Sequence, residues 1–460
     1  MMKRVHLIGI GGSGMSSIAR VLLEQGCSVS GSDRTLSPLA LDLRTAGAVV
    51  YEGHHPQNIT AVDMVVRSSA ITDDNPEVAA ALALGIPVLK RQDFMRELTR
   101  ERLCITVAGS HGKTTTSTMM AWSLMQLGLD PGYILGGVSR NLGNNAHAGS
   151  GKHFVVEADE YDRMFLGLNP AVILLTNVEY DHPDCFPTVQ AYQAAFSAFV
   201  NQLEPGGLLV TNADDPGALA KRQDAPATAS VVTYGLTAAA DYTAVDLRTN
   251  NAGGYDFNVL ALQMQSPIAS VSLSVPGLHN VRNALGVLAA LHALGFPVQQ
   301  AADALSAYAG SSRRFEVIAE VAGITLVDDY AHHPSKIIAT LSAARVRYPR
   351  RRLVAVWQPH TYSRTQALEA DFINAFHDAD LVVVTAIYAA RENPQNYTAA
   401  QLVEKMDYVV ATYIPQIPDV VDFLMETLQA GDVLIVLSAG DADQVCRDLK
   451  TRLQERKGES

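Results

Sequence analysis

The chain is predicted to be an α/β protein of three domains, because its length, its composition and the alternation of two kinds of segment all indicate that class. Its 460 residues correspond to about three domains of ordinary size. Hydrophobic residues make up 48% of the chain and charged residues 18%, which is typical of globular proteins. Short apolar runs rich in β-branched residues alternate with longer helical stretches, which predicts parallel sheets with helices on both faces.

The apolar runs define the expected strands in chain order. They occupy residues 5–10, 64–67, 103–107, 154–156, 172–176, 324–327, 353–356, 381–385 and 433–437. Residues 241–264 interrupt the alternation, because strand-like segments flank the turn-rich residues 250–254, which predicts an antiparallel hairpin. Polar segments near residues 100 and 312 are the expected boundaries. We therefore expect three domains, at residues 1–100, 101–312 and 313–460.

Charge and cysteine content argue against several classes of protein. The net charge is −12, which disfavours binding of nucleic acid through the overall field. Four cysteines lie far apart without a CxxC pair, so we expect a cytoplasmic protein without a disulfide framework or a structural zinc site. The longest uncharged stretches contain proline and glycine, so we expect no membrane insertion. The five arginines at 345–352 are predicted to form a solvated helix end.

The first of two glycine-rich loops fits the pattern GxGxxG between a predicted strand and a predicted helix. Its candidate ligand-binding residues are Gly11, Gly12, Ser13 and Gly14. These residues would let the backbone approach a diphosphate at the helix N-terminus. Asp33 lies 19 residues after Gly14, where an acid can bind a ribose hydroxyl. The spacing is typical of a nicotinamide dinucleotide site, although a glycine-rich turn without a ligand has the same pattern.

The second loop has the pattern GxxGKT, a shortened form of the phosphate-binding loop. Its residues are Gly109, Ser110, His111, Gly112, Lys113, Thr114 and Thr115. The backbone N–H groups would hold phosphates, Lys113 would reach the β- and γ-phosphates, and the Thr114 hydroxyl would ligate Mg²⁺. Two such loops in consecutive units indicate two different phosphorylated ligands, which weakens the interpretation as an oxidoreductase.

Acids and histidines follow other predicted strands, at the ends where function gathers in open α/β sheets. Glu157 follows one strand and would supply an oxygen ligand to Mg²⁺ together with Thr114. His182 follows the next strand and would bind a second metal ion or a substrate carboxylate. Residues 328–334 and 358–364 contain three histidines without a recognised zinc spacing, so we expect them to position a substrate.

In this order the motifs resemble those of the ATP-dependent Mur ligases of peptidoglycan synthesis, over nearly the whole chain. The matching segments are 9–16, 68–71, 109–115, 157–160, 176–182, 276–283, 313–315, 328–334 and 359–364. The resemblance implies a Rossmann-like N-terminal domain that binds a UDP-sugar, a P-loop ATPase-like central domain, and a small α/β C-terminal domain that closes over both. The first glycine loop, with Asp33, Ser68 and Ser69, would then hold a uridine diphosphate and not a nicotinamide cofactor.

The resemblance also implies roles for single residues. ATP would be bound by the second loop together with Asn283, Arg314 and Asp329, and Mg²⁺ by Thr114 and Glu157, with a second metal ion at His182. Substrates would be bound near Tyr330 and His360. The catalytic residues would be Lys113, Glu157, His182, His332 and Arg364. Three positions depart from the family pattern: Thr361 stands where many members have arginine, Tyr161 replaces a frequent serine, and Ser438 replaces a frequent glycine.

The implied reaction joins L-alanine to the lactyl carboxylate of UDP-N-acetylmuramate through an acyl phosphate formed from ATP. Three other interpretations remain open at this stage. They are a ligase of the same family that adds a recycled tripeptide or another amino acid, a nicotinamide-dependent oxidoreductase, and a nucleotide-binding module without catalysis. The sequence is compatible with a monomer or a homodimer.

Overall fold

The first part of the chain forms a parallel sheet that changes winding direction beside the first glycine loop. The computed structural model describes residues 3–237, 239–262 and 264–458. The strands here are β1 (Arg4–Ile8), β2 (Ser28–Asp33), β3 (Val49–Glu52), β4 (Met64–Arg67) and β5 (Val88–Lys90). The helices are α1 (Ser13–Glu24), α2 (Pro38–Thr45), α3 (Pro76–Ala83) and α4 (Arg91–Thr99), with a 3₁₀ helix at Pro56–Asn58. The order β3-β2-β1-β4-β5 places the loop after β1 at the switch point, where open α/β sheets bind ligands.

The middle part forms a larger mixed sheet with the strand of the second glycine loop inside it. Its strands are β6 (Leu103–Ala108), β7 (Gly132–Ile134), β8 (Ala146–His147), β9 (His153–Glu157), β10 (Val172–Leu175), β11 (Leu208–Asn212), β12 (Ser230–Gly235), β13 (Tyr242–Thr249), β14 (Tyr255–Ala261) and β15 (Ala269–Leu273). Its helices are α5 (Lys113–Gln126), α6 (Val189–Val200), α7 (Pro216–Ala220), α8 (Leu278–Ala293) and α9 (Val298–Ser306), with 3₁₀ helices at Tyr161–Gly167 and Lys221–Asp224. The order is β15-β14-β13-β12-β11-β10-β6-β9-β7-β8. The loops after β9 and β10 therefore flank the loop after β6.

The last part forms a third sheet whose inner strands are parallel. Its strands are β16 (Glu316–Val321), β17 (Ile324–Asp329), β18 (Leu353–Trp357), β19 (Leu381–Val384), β20 (Val410–Tyr413) and β21 (Val433–Leu437). Its helices are α10 (Pro334–Arg347), α11 (Tyr362–Ala367), α12 (Glu369–Ile373), α13 (Ala400–Val403), α14 (Ile417–Thr427) and α15 (Gln444–Gly458). The order β16-β17-β21-β18-β19-β20 brings the carboxyl ends of β17 and β18 to one edge. The three sheets confirm the predicted α/β class.

The helices after the two glycine loops differ from several neighbours in their first turn. Helices α2, α3 and α6 each begin with a side-chain cap, since Ser37, Asn75 and Thr188 accept hydrogen bonds from backbone N–H groups there. Helices α1 and α5 begin after Gly12 and Gly112, and no described side chain caps either of them. Their first N–H groups are therefore available to bind an anion.

The predicted strands agree with the structure within two residues, and the hairpin is confirmed by the antiparallel pairing of β13 with β14. The first strand is shorter than expected because Gly9 turns away from the sheet with a φ of +82°. Its N–H group donates to the Ser32 carbonyl oxygen over 2.8 Å instead of continuing a strand. No helix within the described residues combines the length and the apolar character needed to span a bilayer.

The interpretation of residues 345–352 as a purely solvated helix end is wrong for part of the cluster. Arg345 donates to the carbonyl oxygen of Asp378 over 2.6 Å. Arg351 donates to the carbonyl oxygens of Gly431 and Asp432 over 2.7 and 2.6 Å. These arginines bind carbonyl groups of loops that precede strands, so they stabilise the edge of the third sheet opposite the candidate site.

Candidate active site

Glycines shape the second loop because no side chain fits at two of its positions. Gly109 has a φ of +139°, and a Cβ atom there would lie 2.1 Å from Thr176 Oγ1. Gly112 has a φ of +80°, and a Cβ atom there would lie 2.8 Å from Asn283 Oδ1. The backbone between them is fixed by the loop after β10, since the His111 N–H donates to Asn177 Oδ1 over 2.8 Å. The loop is therefore preformed around the start of α5.

Lys113 lies at the start of α5 and pairs with a buried acid. Its Nζ donates to the Gly109 carbonyl oxygen and to Glu160 Oε2, each over 2.6 Å. Burial disfavours the ammonium form of Lys113, but the charges of Glu160 and Asp159 raise its pKa above the ordinary value. Burial likewise opposes ionisation of Glu160, but Lys113 and His182 lower its pKa to about 2. Both groups are therefore charged at neutral pH.

Thr114 and Glu157 bring two oxygen atoms together beside Lys113. Thr114 Oγ1 donates to Glu157 Oε1 over 3.1 Å, and the Gly136 N–H donates to Glu157 Oε2 over 2.7 Å. Arg314 Nη2 donates to Thr114 Oγ1 over 3.2 Å. Burial raises the pKa of Glu157, although Lys113 and Arg314 oppose the rise. A half-buried carboxylate beside a hydroxyl is a donor set that suits a hard cation such as Mg²⁺.

A second buried pair joins the loop after β10 to the start of α11. Arg364 donates through Nε to Asp181 Oδ1 over 2.8 Å, through Nη1 to His360 Nδ1 over 3.1 Å and through Nη2 to His182 Nδ1 over 3.3 Å. Burial opposes ionisation of Asp181, but Arg364 and His182 hold its pKa well below the ordinary range. His182 has a φ of +59°, an uncommon backbone conformation that is often found at functional sites.

His182 and Glu157 lie in the same cleft but hold different partners. The Nε2 atom of His182 lies 3.4 Å from Glu160 Oε1, so both of its ring nitrogens face protein groups. Among the described residues, the group of side chains close enough to share a metal ion is His111, Glu179 and His333, with ligand atoms within 4.8 Å of one another. Glu179 already accepts hydrogen bonds from His111 and Ser335, which explains that cluster without an ion.

The adjacent histidines at the end of β17 contact different neighbours. The ring of His333 lies against that of His111, with centroids 4.7 Å apart. His332 donates from Nδ1 to the Tyr330 carbonyl oxygen over 2.7 Å, which leaves its Nε2 as an acceptor. Lys336 Nζ lies 3.5 Å from that Nε2. Burial, together with the charges of Lys336 and Arg364, holds the pKa of His332 well below its ordinary value.

Lys336 is a site residue that the motifs did not reveal. Burial lowers its pKa to about 7; Asp181 opposes this shift, and Lys113 and Arg314 strengthen it. Lys336 lies in the first turn of α10, four residues after His332, which precedes the helix, and the chain brings the two side chains to within 3.5 Å of each other. Its type carries no signal in the sequence, because a lysine in the first turn of a helix usually lies on the surface.

Asp329 and Asn283, two further residues predicted to bind ATP, contact other residues of the site. Asp329 accepts hydrogen bonds from the N–H groups of Phe315 and Ala331 over 2.6 and 2.8 Å, and thereby holds the turn that carries Arg314. The Arg314 guanidinium lies 4.8 Å from the centre of the Tyr330 ring. Asn283 is the side chain packed closest to Gly112. In this conformation Asp329 therefore fixes the backbone beside Arg314 and Tyr330.

Asp33 supports the first glycine loop from within. Its Oδ2 accepts a hydrogen bond from the Gly11 N–H over 2.9 Å, and its Oδ1 accepts one from the Arg34 N–H over 2.8 Å. The Ser68 side chain packs under Gly9, and Ser69 is exposed. Both carboxylate oxygens of Asp33 therefore hold backbone groups, and each keeps a second lone pair, so binding of a substrate hydroxyl by Asp33 stays a prediction.

Arg91, at the start of α4, is a second residue that sequence patterns missed. A Cβ atom on Gly14 would lie 2.3 Å from the guanidinium carbon of Arg91, so the glycine allows the cation to approach α1. The Nε atom is buried, and no hydrogen-bond partner is found for it among the described residues. Burial lowers the pKa of Arg91, while Asp159 and Glu157 oppose the shift. No motif surrounds Arg91 in the sequence.

One cleft of about 1030 Å³ connects these groups. Its lining includes Ser13, Gly14 and Arg91 from the first part, Ser110 to Thr115, Glu157, His182 and Asn283 from the middle part, and Arg314, Asp329, Tyr330, His332, Lys336, His360 and Arg364 from the last part. Five predicted substrate residues lie outside this lining, namely Gly11, Gly12, Asp33, Ser68 and Ser69. The cleft therefore joins the second loop to the end of the first loop and to the third sheet.

Three domain models of one family match the chain in order. The Mur ligase family catalytic domain matches residues 4–103, the Mur ligase middle domain matches residues 107–291, and the glutamate ligase domain of Mur ligases matches residues 313–440.

Relatives of the chain include a UDP-N-acetylmuramate–L-alanine ligase of Chloroflexus aggregans. It is 42% identical over 481 aligned positions, which cover 100% of both chains. Among solved structures, a UDP-N-acetylmuramate–alanine ligase from Thermotoga maritima has a TM-score of 0.82 at 28% identity and covers 99% of this chain and 100% of its own. A murein peptide ligase from Psychrobacter arcticus has a TM-score of 0.71 at 27% identity, with 98% of both chains covered.

Proposed function

The chain belongs to the Mur ligase family, and on that basis we propose that it joins L-alanine to UDP-N-acetylmuramate in a reaction that consumes ATP. The observation that carries the proposal is the end-to-end similarity to a UDP-N-acetylmuramate–L-alanine ligase. In addition, one cleft is lined by the phosphate-binding loop and by residues of the first and third domains. A nicotinamide-dependent reaction has no need of the second loop.

ATP would bind at the second loop. The N-terminal N–H groups of α5 and the third N–H of the Lys113 ammonium, which has two protein acceptors, are available to phosphate oxygens. Arg314 lies beside Thr114 and would contact the nucleotide from the third domain, with Asp329 holding its turn and Asn283 supporting Gly112. Thr114 and Glu157 would hold Mg²⁺. A second ion at His182 would take the place of the contact between its Nε2 atom and Glu160. Bound Mg²⁺ neutralises phosphate charge.

In the first step, an oxygen of the muramoyl carboxylate attacks the γ-phosphorus, the bond to the bridging oxygen breaks, and ADP leaves. In the second step, the amine of L-alanine attacks the acyl carbon and inorganic phosphate leaves. Both reactants of the first step are anions, so electrostatic stabilisation decides its rate. Lys113 and the N-terminus of α5 are the groups of this chain that offset that repulsion.

The second step needs a free amine, and His332 would accept its proton. The Nε2 atom of His332 is the unprotonated nitrogen, because Nδ1 donates to the Tyr330 carbonyl oxygen. Lys336, with a pKa of about 7, lies beside it and would take the proton onward, since an acceptor works best when its pKa is near the working pH. Tyr330 and His360 complete the walls around these groups.

UDP-N-acetylmuramate would bind between the first glycine loop and the middle domain. The uncapped N-terminus of α1, at Gly12 and Ser13, would receive its diphosphate. Arg91 lies against Gly14 inside the cleft and would supply the positive charge that this loop lacks. Gly11, Asp33, Ser68 and Ser69 would shape the loop and its rim.

Phosphate release from ATP tests the proposal. We expect release that requires both UDP-N-acetylmuramate and L-alanine, with little release when glycine, D-glutamate or a tripeptide replaces L-alanine. The similarity to a murein peptide ligase makes tripeptide transfer the second candidate, and preferential release with tripeptide would favour it. Release that ignores the sugar nucleotide would overturn the proposal. Oxidation of NADH would revive the oxidoreductase, and nucleotide binding without any turnover would indicate a binding module.

A further inference from the structure

The segment after β19 brings an additional arginine to the cleft. Arg391 lines the cleft together with His360, Thr361 and Arg364. Its guanidinium carbon lies 3.9 Å from the centre of the Tyr161 ring, and its Nη2 donates to Asp184 Oδ2 over 3.2 Å. The side chain remains 56% exposed. The ring and the carboxylate thus orient the guanidinium without enclosing it.

The backbone on both sides of Arg391 is tied to the start of α11. Before it, the Tyr388 N–H donates to the Pro359 carbonyl oxygen over 2.8 Å, and the Thr361 N–H donates to the Tyr388 carbonyl oxygen over 2.9 Å. After it, the Glu392 carboxylate accepts a hydrogen bond from the Tyr362 N–H over 2.6 Å. One anchor just before α11 and one at its first residue therefore fix the backbone around Arg391 relative to the helix that carries Arg364.

Ala390, between these anchors, has a φ of +53°, a left-handed conformation that is uncommon for alanine. The conformation persists because hydrogen bonds hold both sides of it. Strained backbone of this kind is often retained where it places a functional side chain. The backbone therefore gives Arg391 a defined position in the cleft, unlike a residue of a freely moving surface loop.

An amino-acid substrate carries a carboxylate that needs a permanent cation. Arg364 has all three of its guanidinium nitrogens in hydrogen bonds with Asp181, His360 and His182. Burial lowers the pKa of His360 to about 4, with Arg364 strengthening the shift, so this ring is neutral. Lys336 is only partly charged near neutral pH. In contrast, Arg391 Nη2 has one carboxylate partner, and no partner for Nε or Nη1 is found in the described chain.

We propose that Arg391 binds the α-carboxylate of the amino-acid substrate, a proposal that rests on the amide ligase function given above. The planar guanidinium offers two parallel N–H groups to a carboxylate, and the Tyr161 ring supports its face. The carboxylate would thereby be held in the cleft that Arg391 lines together with His360. The ring of His360 lies 5.7 Å from that of His332 and 5.7 Å from that of Tyr388, three residues before Arg391. Arg391 is thus a specificity residue for a free amino acid.

The test is Arg391→Ala in the full chain, measured by phosphate release. We expect the KM for L-alanine to rise roughly 10- to 100-fold, the range for loss of a charge-assisted hydrogen-bonded pair. The KM values for ATP and UDP-N-acetylmuramate should stay within about twofold, because neither site depends on this carboxylate contact. Arg391→Lys should recover part of the affinity, since it keeps the charge but not the fork.

L-Alaninamide separates a substrate contact from a structural one. The wild-type protein should prefer L-alanine over L-alaninamide in kcat/KM, and Arg391→Ala should remove most of that preference. Asp184→Asn breaks the ion pair but leaves the arginine, so its KM for L-alanine should stay near the wild-type value or fall. Arg452→Ala is a matched control, because Arg452 is another half-exposed arginine of the same domain, with Asp422 as its partner.

An unchanged KM for L-alanine in Arg391→Ala would overturn the assignment, as would an Asp184→Asn variant that has the same defect. Retained discrimination against L-alaninamide in Arg391→Ala would overturn it too. Failure of the proposed function is distinguishable from failure of the Arg391 assignment. In the first case the wild-type protein itself would release no phosphate in response to L-alanine.

Discussion

The first glycine loop, residues 9–14, and the second, residues 109–112, both lead into helices without a side-chain cap in the described chain. The second loop carries its own cation, since Lys113 opens its helix and is fixed by Glu160. The first loop receives its cation from a distant segment, since Arg91 reaches Gly14 from α4. The cation of the second loop thus comes from the adjoining residue in the chain, whereas the cation of the first loop comes from a residue about 80 positions away.

This difference predicts different consequences when the cation is removed. Lys113 acts where charge develops during reaction, so its loss should reduce the rate of the chemical step. Arg91 lies at the proposed site of a bound substrate that does not change at its diphosphate, so its loss should weaken binding. The two arrangements also differ in their buried acids, because the Lys113 ammonium is the main group that lowers the pKa of Glu160, whereas hydrogen bonds from His6, Ser32 and Asn58 are the main ones that lower the pKa of Glu77 in the first domain.

The largest effect is expected for Lys113→Ala. We expect kcat to fall by roughly 10² or more, by analogy with the loss of one donor that stabilises developing negative charge. The measurement is the rate of phosphate release at saturating substrates. Lys221→Ala is the control, because Lys221 is a similarly buried lysine of the same domain that donates to Ser197 over 2.8 Å. Near-normal turnover in Lys113→Ala would remove Lys113 from the reaction.

A smaller effect, on binding alone, is expected at the first loop. Arg91→Ala should raise the KM for UDP-N-acetylmuramate about 10-fold or more, with the KM for ATP unchanged. Gly14→Ala should act in the same direction, because its Cβ atom would displace the guanidinium. Arg96→Ala, on the same helix, is the control.

The double variant makes the contrast sharper. If Gly14→Ala acts only through Arg91, adding it to Arg91→Ala should cause no further loss, since two changes that remove one interaction are not additive. Fully additive losses would mean that Gly14 contacts the substrate itself. If Arg91→Ala lowered kcat as much as Lys113→Ala does, the two loops would not differ in the way proposed here.

The sequence predicted most of the fold and the motif-bearing residues of the cleft but missed three of its cations, and the difference has a physical cause. The α/β class, the hairpin and both glycine loops depend on local pattern, which a sequence displays directly. Arg91, Lys336 and Arg391 reach the cleft only because three sheets pack around it, and each is an ordinary surface residue by its neighbours in the chain. The spacing also does not reveal that the Asp33 carboxylate accepts a hydrogen bond from the Gly11 N–H, and substrate binding by Asp33 stays a prediction.

The smallest expected effect is on stability. It concerns Glu77, the buried acid of the first domain, and not Glu160. Burial raises the pKa of Glu77, but hydrogen bonds from His6, Ser32 and Asn58 lower it to about 2. The folded pKa is below the unfolded value of about 4.5, so ionised Glu77 stabilises the fold above that value. This contribution is lost as the pH falls through the folded pKa.

Glu77→Gln should therefore lower the free energy of unfolding by about 1–3 kcal/mol at neutral pH, because it leaves buried donors with a poorer acceptor. The difference from wild type should shrink between pH about 4.5 and about 2, as the wild-type carboxyl takes up a proton. Urea unfolding across that range measures it, with Glu97→Gln, at an exposed acid, as the control. Turnover at neutral pH should be unaffected, since Glu77 does not line the cleft. A difference that stays constant with pH would mean that Glu77 stabilises the first domain by packing and not by its charge.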